Sequence, residues 1–342
     1  MNDKVITIAE AGVNHNGRMD LARQLVDLGA AAGVDYVKFQ TFVTEEVVGK
    51  DAPLAEYQKR NEGRSENQYD MIKRLELSFE DFRQLKQYCE RKGVRFLSTP
   101  DDALSLDFLV DDLGMELIKV GSGEVTNLPF LRRVGKKGKD VILSTGMAGL
   151  GEVETAFGTL RNAGAPSVAL LHCTSNYPAP FDTVNLRAMR VLKSAFQTMV
   201  GYSDHTEGIA VSIAAVALGA EIVEKHFTID RTLPGPDHLA SMSPDELHRW
   251  VREIRNTEMA LSGSGRKEMQ ASEKDTKAVV SRGIYLREDA PEGTILTEDL
   301  LVFKRPTGDL GAGQVDLILG RRLNTRLQKG QALALKYVNF EQ

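Results

Sequence analysis

The sequence predicts a (β/α)8 TIM barrel followed by a small, mostly β domain, and three observations carry that prediction. Apolar strand-like runs alternate with helix-periodic segments eight times within residues 1–263. Nearly every strand-like run ends in polar or charged residues, as at the active face of a barrel. Beyond residue 263 the chain turns polar and small-residue-rich, and only short β-type runs follow. A doubly wound open sheet is the competing arrangement, but no GxGxxG follows the first strand.

The elements run in order. Residues 5–12 (VITIAEAG) form a first apolar strand, 20–33 a helix, and 35–42 (DYVKFQTF) a second strand. A polar excursion over 43–77 is too long for an ordinary strand-to-helix turn and reads as a lid or a substrate-binding insertion. The alternation resumes with helix 79–93, strand 94–100, helix 103–114, strand 116–124, helix 128–137 and strand 141–146. Helix 151–164, strand 167–180, helix 185–195, strand 198–206, helix 207–220 and strand 221–227 follow. An eighth helix, 243–263, opens on a Ser243 cap with Glu246 three residues later. Residues 264–278 read as a linker, and 279–342, broken by PEG, GDLGAG and KGQ, as a compact β domain. A domain that small buries little core alone and commonly leans on a larger body.

Composition excludes several function classes. With a net charge of -5, no electrostatic case exists for nucleic acid or an anionic membrane surface. The content, 42% hydrophobic and 27% charged, is that of an ordinary globular protein, and no apolar stretch approaches a membrane span. Two cysteines, Cys89 and Cys173, give no disulfide framework, and no signal peptide opens the chain, so a cytoplasmic location is expected.

In a barrel, the strand ends would gather on one face. They are Glu10, Asn14 and His15; Lys38 and Gln40; Ser98 and Thr99; Lys119, Ser122 and Glu124; Ser144 and Thr145; Thr174, Ser175, Asn176 and Tyr177; Ser203 and His205; and Glu224 and His226. The two clusters Ser203-Asp204-His205 and Glu224-Lys225-His226, with Asp237 beyond, suit a metal or acid/base site. Single serines are more often turn chemistry, and a single histidine is more often structural. A lysine inside an apolar strand, as in YVKFQ or LIKVG, is costly unless an anion neutralises it. Two such lysines with a hydroxyl-rich cradle suit a phosphorylated acid. Three chemistries stay open on the residues: Schiff-base work by Lys38 or Lys119, a hydrolytic metal site, and a labile Mn2+ or Mg2+ acting as Lewis acid on a carbonyl.

The motifs AEAGVNHNG, VKFQTF, FLSTP, IKVGSGE, LSTGM, LLHCTSNYPAP, GYSDHT, VEKHFT, PGPDH and the C-terminal KRP occur in that order. Over essentially the whole chain they resemble the sialic acid (N-acetylneuraminate/nonulosonic acid) synthase family. The resemblance implies a barrel followed by an antifreeze-like (SAF) domain, and a homodimer in which that domain covers the partner's active site. It implies a transferase that condenses phosphoenolpyruvate with open-chain N-acetylmannosamine and releases phosphate by C–O cleavage. The alternative acceptor is 2,4-diacetamido-2,4,6-trideoxymannose, which would give N,N'-diacetyllegionaminate. A Schiff-base lyase and a non-catalytic binding protein are remoter readings. His205 and His226 would then hold Mn2+ or Mg2+. Lys38, Thr99, Lys119, Ser122, Ser144, Ser175 and Ser203 would hold phosphoenolpyruvate. Glu10, Gln40, Tyr177, Asp237 and Arg305 would contact the amino sugar, with Glu224 as the leading acid/base and Glu10 beside it. Two positions depart from the family pattern: Ser175, where asparagine is common, and Asp101 in TPDD, where many relatives read TPF.

Overall fold

The computed structural model describes residues 4–54 and 67–340, and the middle of the 43–77 excursion (residues 55–66) lies outside them. The described chain divides into two compact units, Met1–Ser262 and Gly263–Gln342.

The first unit is an eight-stranded parallel barrel. Its strands are β1 (Ile6–Gly12), β2 (Tyr36–Thr41), β3 (Arg95–Pro100), β4 (Leu117–Val120), β5 (Asp140–Ser144), β6 (Val168–Cys173), β7 (Val200–Asp204) and β8 (Ile222–His226). Hydrogen bonding runs β3-β2-β1-β8-β7-β6-β5-β4, and β3 packs against β4 to complete the ring. Parallel strands covered on both faces need continuous apolar runs, and most strand residues here are buried. Gly201 in β7 is required by close approach, because a Cβ there would collide with the Ile222 carbonyl and the Leu171 side chain.

Helices between the strands start where sequence chemistry places caps. Ser78 and Asp81 form a reciprocal capping box at the helix Phe79–Lys92, and Ser243 and Glu246 do the same at Pro244–Leu261. One face of the latter helix buries Leu247, Trp250, Val251 and Ile254. Fully burying a large apolar side chain contributes roughly 1.5–3 kcal/mol, so this face holds the last helix firmly against the barrel. The helix expected over 103–114 is α-helical only for Ala103–Asp107 and continues as a π-turn over Phe108–Asp112.

The described parts of the excursion include the short helix Thr44–Val47 and the helix Gln68–Leu75. Val13, Phe42, Leu54, Met71 and Leu75 bury one another in a cluster separate from the barrel core.

The second unit has its own core, including Ile284, Leu286, Leu296, Leu310, Ile318 and Leu333. Its strands are β9 (Gly283–Leu286), β10 (Leu301–Lys304), β11 (Arg322–Leu323) and β12 (Val338–Asn339), paired antiparallel as β9 with β10 and β11 with β12. The segment expected to be a bare linker carries a 3-10 turn at Ala271–Glu273 and the helix Lys274–Val280. Among the described residues, no helix is long and apolar enough to cross a membrane.

Candidate active site

Inward-facing strand residues alternate with outward-facing ones, so the C-terminal ends of eight strands converge on a cavity of about 300 Å3. Its lining includes Glu10, Lys38, Gln40, Thr99, Lys119, Ser122, Ser144, Ser175, Tyr177, Ser203, His205, Glu224 and His226. Asp101, Gly121, Gly123 and Met147 complete it.

The centre of the cavity is an ion-pair lattice. Lys38 Nζ lies 2.9 Å from Glu10 Oε2 and 3.7 Å from Glu224 Oε2. Lys119 Nζ lies 3.4 Å from Glu224 Oε1. The two ammonium groups therefore find part of their compensation in Glu10 and Glu224, rather than depending wholly on a bound anion. Each also donates to a hydroxyl, Lys38 to Thr99 Oγ1 at 3.1 Å and Lys119 to Ser144 Oγ at 2.8 Å. Those hydroxyls accept from lysine, which leaves their own O–H groups to donate elsewhere. Gly146 N donates to Ser122 Oγ at 3.0 Å, and Ser122 Oγ also meets Cys173 Sγ at 3.2 Å. A Cβ at Gly146 would strike Ser175, Ser122 and Cys173, so the close approach of these three groups requires glycine there.

Burial and the lattice shift the titrations in opposite directions. Burial would raise the Glu224 carboxyl, but Lys119 and Lys38 outweigh it and hold that group well below the usual carboxylate range. Burial, helped by Glu224, pushes the Glu10 carboxyl up against the pull of Lys38. Burial lowers Lys119, whereas for Lys38 the attraction of Glu10 and Glu224 overcomes burial and the group is raised. Of the two carboxylates, Glu224 is the one held firmly ionised.

The histidines stand at the ends of β7 and β8, their ring centroids 5.8 Å apart. His205 Nδ1 is 2.7 Å from the Thr174 carbonyl, which can only accept, so Nδ1 carries the proton and Nε2 presents a lone pair. Ser203 Oγ stands 3.3 Å from that Nε2 and donates to Glu224 Oε1 at 3.1 Å. His226 Nδ1 is buried without a hydrogen-bond partner. Burial pushes His205 down to about 4 and His226 well below its ordinary value, so both rings are neutral at pH 7. Two neutral imidazoles, one with a defined free nitrogen, fit a divalent cation whose remaining positions take oxygen from water or substrate. Among the described residues, no group of three or more His, Cys, Asp and Glu side chains is arranged to hold a metal. Tyr177 packs on both rings, with centroids 4.3 Å from His205 and 5.7 Å from His226.

Several expected residues lie elsewhere. Asp204 turns away from the cavity and forms a buried pair with Lys225, Oδ2 to Nζ at 3.2 Å, while also accepting from Thr206 and Ser212. Asn14 donates to the Phe227 carbonyl and to Ser241 Oγ, and His15 Nδ1 accepts from Gly17 N, so both brace the loop after β1. Asp237 lines a neighbouring cavity together with Gln40, Tyr177 and His226. Arg305 is an exposed residue of the second unit. Cys173, the Thr174 carbonyl and Gly146 also shape the site; the LLHCTS and LSTGM runs put them at strand ends without showing these roles.

Comparison with known proteins gives concordant results. Residues 25–267 match the model of the NeuB family. The N,N'-diacetyllegionaminic acid synthase of Legionella pneumophila is 45% identical over 335 residues, covering 97% of this chain and 94% of that protein. The enzyme of the same name from Campylobacter jejuni is 44% identical, covering 93% of this chain and 95% of its own. The crystal structure of an N-acetylneuraminic acid synthetase from Leptospira borgpetersenii, in complex with citrate, superposes with a TM-score of 0.69 at 36% identity. It covers 80% of this chain and 90% of that one.

Proposed function

The chain belongs to the NeuB family of nonulosonic acid synthases, transferases of the phosphoenolpyruvate-condensing type, and on that premise we propose that its acceptor is open-chain 2,4-diacetamido-2,4,6-trideoxymannose and its product N,N'-diacetyllegionaminate. N-acetylmannosamine, the default from the resemblance, gives way because relatives at 45% and 44% identity, matched over almost the whole chain, are diacetyllegionaminic acid synthases. The observation that carries the reaction is the pair Lys38 and Lys119 flanking Glu224 in a hydroxyl-lined cavity beside two neutral imidazoles.

Lys38 and Lys119, with the hydroxyls of Thr99, Ser122, Ser144, Ser175 and Ser203, hold the phosphate and carboxylate of phosphoenolpyruvate. Glu10, Gln40, Tyr177 and Asp237 orient the sugar; Gln40 Nε2 already donates to Glu10 Oε1 at 3.2 Å, which couples the two. His205 Nε2 and His226 would hold Mn2+ or Mg2+, which when bound supplies Lewis-acid polarisation of the aldehyde oxygen. C3 of phosphoenolpyruvate forms the new bond to the aldehyde carbon, and positive charge develops at C2. The ionised Glu224, fixed between two lysines and Ser203, stabilises that charge without reorganising. Its Oε2 is buried and lacks a hydrogen-bond partner, which is where an ordered water would bind and from which it would capture C2. The tetrahedral adduct then expels phosphate by C–O cleavage, leaving a 2-keto-3-deoxy acid.

Arg305 keeps the role that the resemblance implies, contact with an N-acyl group in a dimer; Arg305→Ala should raise the acceptor KM. The function is tested by phosphate release from phosphoenolpyruvate with each acceptor, after chelation and with Mn2+ restored. Mn2+-dependent release, fastest with the diacetamido sugar, is expected; metal-independent release, or release without acceptor, would contradict the reading.

A further inference from the structure

Beside the anion cavity lies a second cavity of about 160 Å3. Gln40, Asp101, Tyr177 and His226 line both, so the two are neighbours at the reacting end. Past those residues the character changes. Val13, Phe42, Met71 and Leu75 are buried walls, half-buried Ile72 packs on them, and the partly exposed Val47 also lines the space. This apolar group is separate from the barrel core, so barrel packing does not account for it. An apolar pocket opening off a site of lysines, carboxylates and hydroxyls is a ligand-shaped feature.

Its charge is equally selective. Among the described lining residues the titratable groups are Asp101, Tyr177, His226 and Asp237, and none is Lys or Arg. Burial pushes the Asp101 carboxyl up to about 7 despite Lys38. Among the described residues, a phosphate or carboxylate entering here would meet the Asp101 carboxyl and hydrocarbon.

We propose that this apolar annex holds the end of the acceptor remote from its aldehyde, and that Val13, Phe42, Val47, Met71, Ile72 and Leu75 select an uncharged, deoxygenated end over a hydroxylated or phosphorylated one. The inference rests on the reading that the chain condenses phosphoenolpyruvate with an open-chain amino sugar, and it adds which part of that sugar is read and by which walls. The aldehyde lies towards His226, the middle of the chain passes Gln40, Tyr177 and Asp101, and the terminal methyl of a 6-deoxy sugar meets Met71, Ile72 and Leu75. An apolar pocket rejects an added hydroxyl by roughly 100-fold at most, and one methylene is worth roughly 10- to 200-fold. A charged terminal group is excluded far more strongly, because desolvation is not repaid.

The test measures kcat/KM for three acceptors on the full-length protein with saturating phosphoenolpyruvate and Mn2+: 2,4-diacetamido-2,4,6-trideoxymannose, N-acetylmannosamine and N-acetylmannosamine 6-phosphate. The native enzyme should favour the trideoxy sugar by about 10- to 100-fold over N-acetylmannosamine and give no measurable turnover of the phosphate. Ile72→Ser and Val47→Ser, at the two walls that are not fully buried, should each lower kcat/KM for the trideoxy sugar about tenfold through KM. The same variants should lower kcat/KM for N-acetylmannosamine much less than for the trideoxy sugar, so the preference collapses. Native preference for N-acetylmannosamine, or comparable use of the 6-phosphate, would overturn the annex while leaving phosphoenolpyruvate condensation intact. An unchanged preference in both variants, with native-like melting, would overturn the assignment of these walls. If neither variant folds, the native ratios decide. Absence of phosphate release with every acceptor would remove the underlying reading, and this inference with it.

Discussion

Replacing Lys119 with methionine separates the two duties of a buried cation. In the native protein Lys119 donates to Ser144 at 2.8 Å and faces Glu224 at 3.4 Å, with its side chain 3% exposed. Burial opposes its charge strongly enough to lower its pKa, so the folded barrel bears a cost for holding it. Methionine keeps most of the volume and removes that cost. Glu224 retains Lys38 at 3.7 Å and the Ser203 hydroxyl, so the variant is expected to fold and to melt within a few degrees of the native protein. On the proposed assignment it loses a charge-assisted hydrogen bond to the phosphoenolpyruvate anion, worth roughly 1.5–3 kcal/mol. That corresponds to a roughly 10- to 150-fold fall in kcat/KM for phosphoenolpyruvate. The assay is initial-rate phosphate release across a phosphoenolpyruvate series at saturating acceptor, with melting followed in parallel. A folded variant with native kcat/KM would refute the assignment of Lys119 to the anion.

Two further outcomes follow from groups outside the cavity. Asp204→Ala leaves Lys225 buried without its carboxylate and should cost about 3–5 kcal/mol of unfolding free energy; denaturant melts should show that loss, and the double change with Lys225→Met should recover most of it. His15 and His238, each pushed down to about 4 by burial, stay neutral in the fold and would bind a proton near pH 6.5 when unfolded. Asp81 pulls His15 slightly up and Asp230 does the same for His238, whereas His238 adds to the lowering of His15. The unfolded chain binds more protons in this window, so their contribution is complete above pH 6.5 and is lost as pH falls toward 4. The loss should amount to several kcal/mol in total, since each tenfold difference in proton affinity between the folded and unfolded chain is worth about 1.4 kcal/mol. Glu10 and Asp101, both raised to about 7, contribute in the opposite sense over the same window, so the check is the titration of each ring by NMR, and a His15 or His238 that titrates near 6.5 in the folded protein would contradict it.

Much of the barrel was legible because its signals are local. Eight apolar runs, helical periodicity and caps such as Ser243 with Glu246 each report on a few neighbouring residues. The inward set Glu10, Lys38, Lys119, Ser144, Ser203 and Glu224 was legible for the same reason, since each closes an apolar strand. Asp204 was grouped with the site although strand alternation turns it outward, onto Lys225. Asn14 and His15 were grouped there because they follow β1, but the chain folds back and spends their polar atoms on its own loop. The apolar annex was not legible at all. Its walls come from Val13, Phe42, Val47 and residues 71–75, which only the fold brings together. The middle of the excursion thought to shape the acceptor pocket, residues 55–66, lies outside the described residues.

The measurement that bears most directly on the central claim uses phosphoenolpyruvate carrying 18O in the bridging C–O–P position. Incubated with Mn2+ and the diacetamido trideoxy sugar, the enzyme should release inorganic phosphate that retains the label, while the keto oxygen of the product comes from solvent. That result fixes C–O cleavage with water captured at C2. Label retained in the product keto group, with unlabelled phosphate, would mean P–O cleavage and would contradict the account.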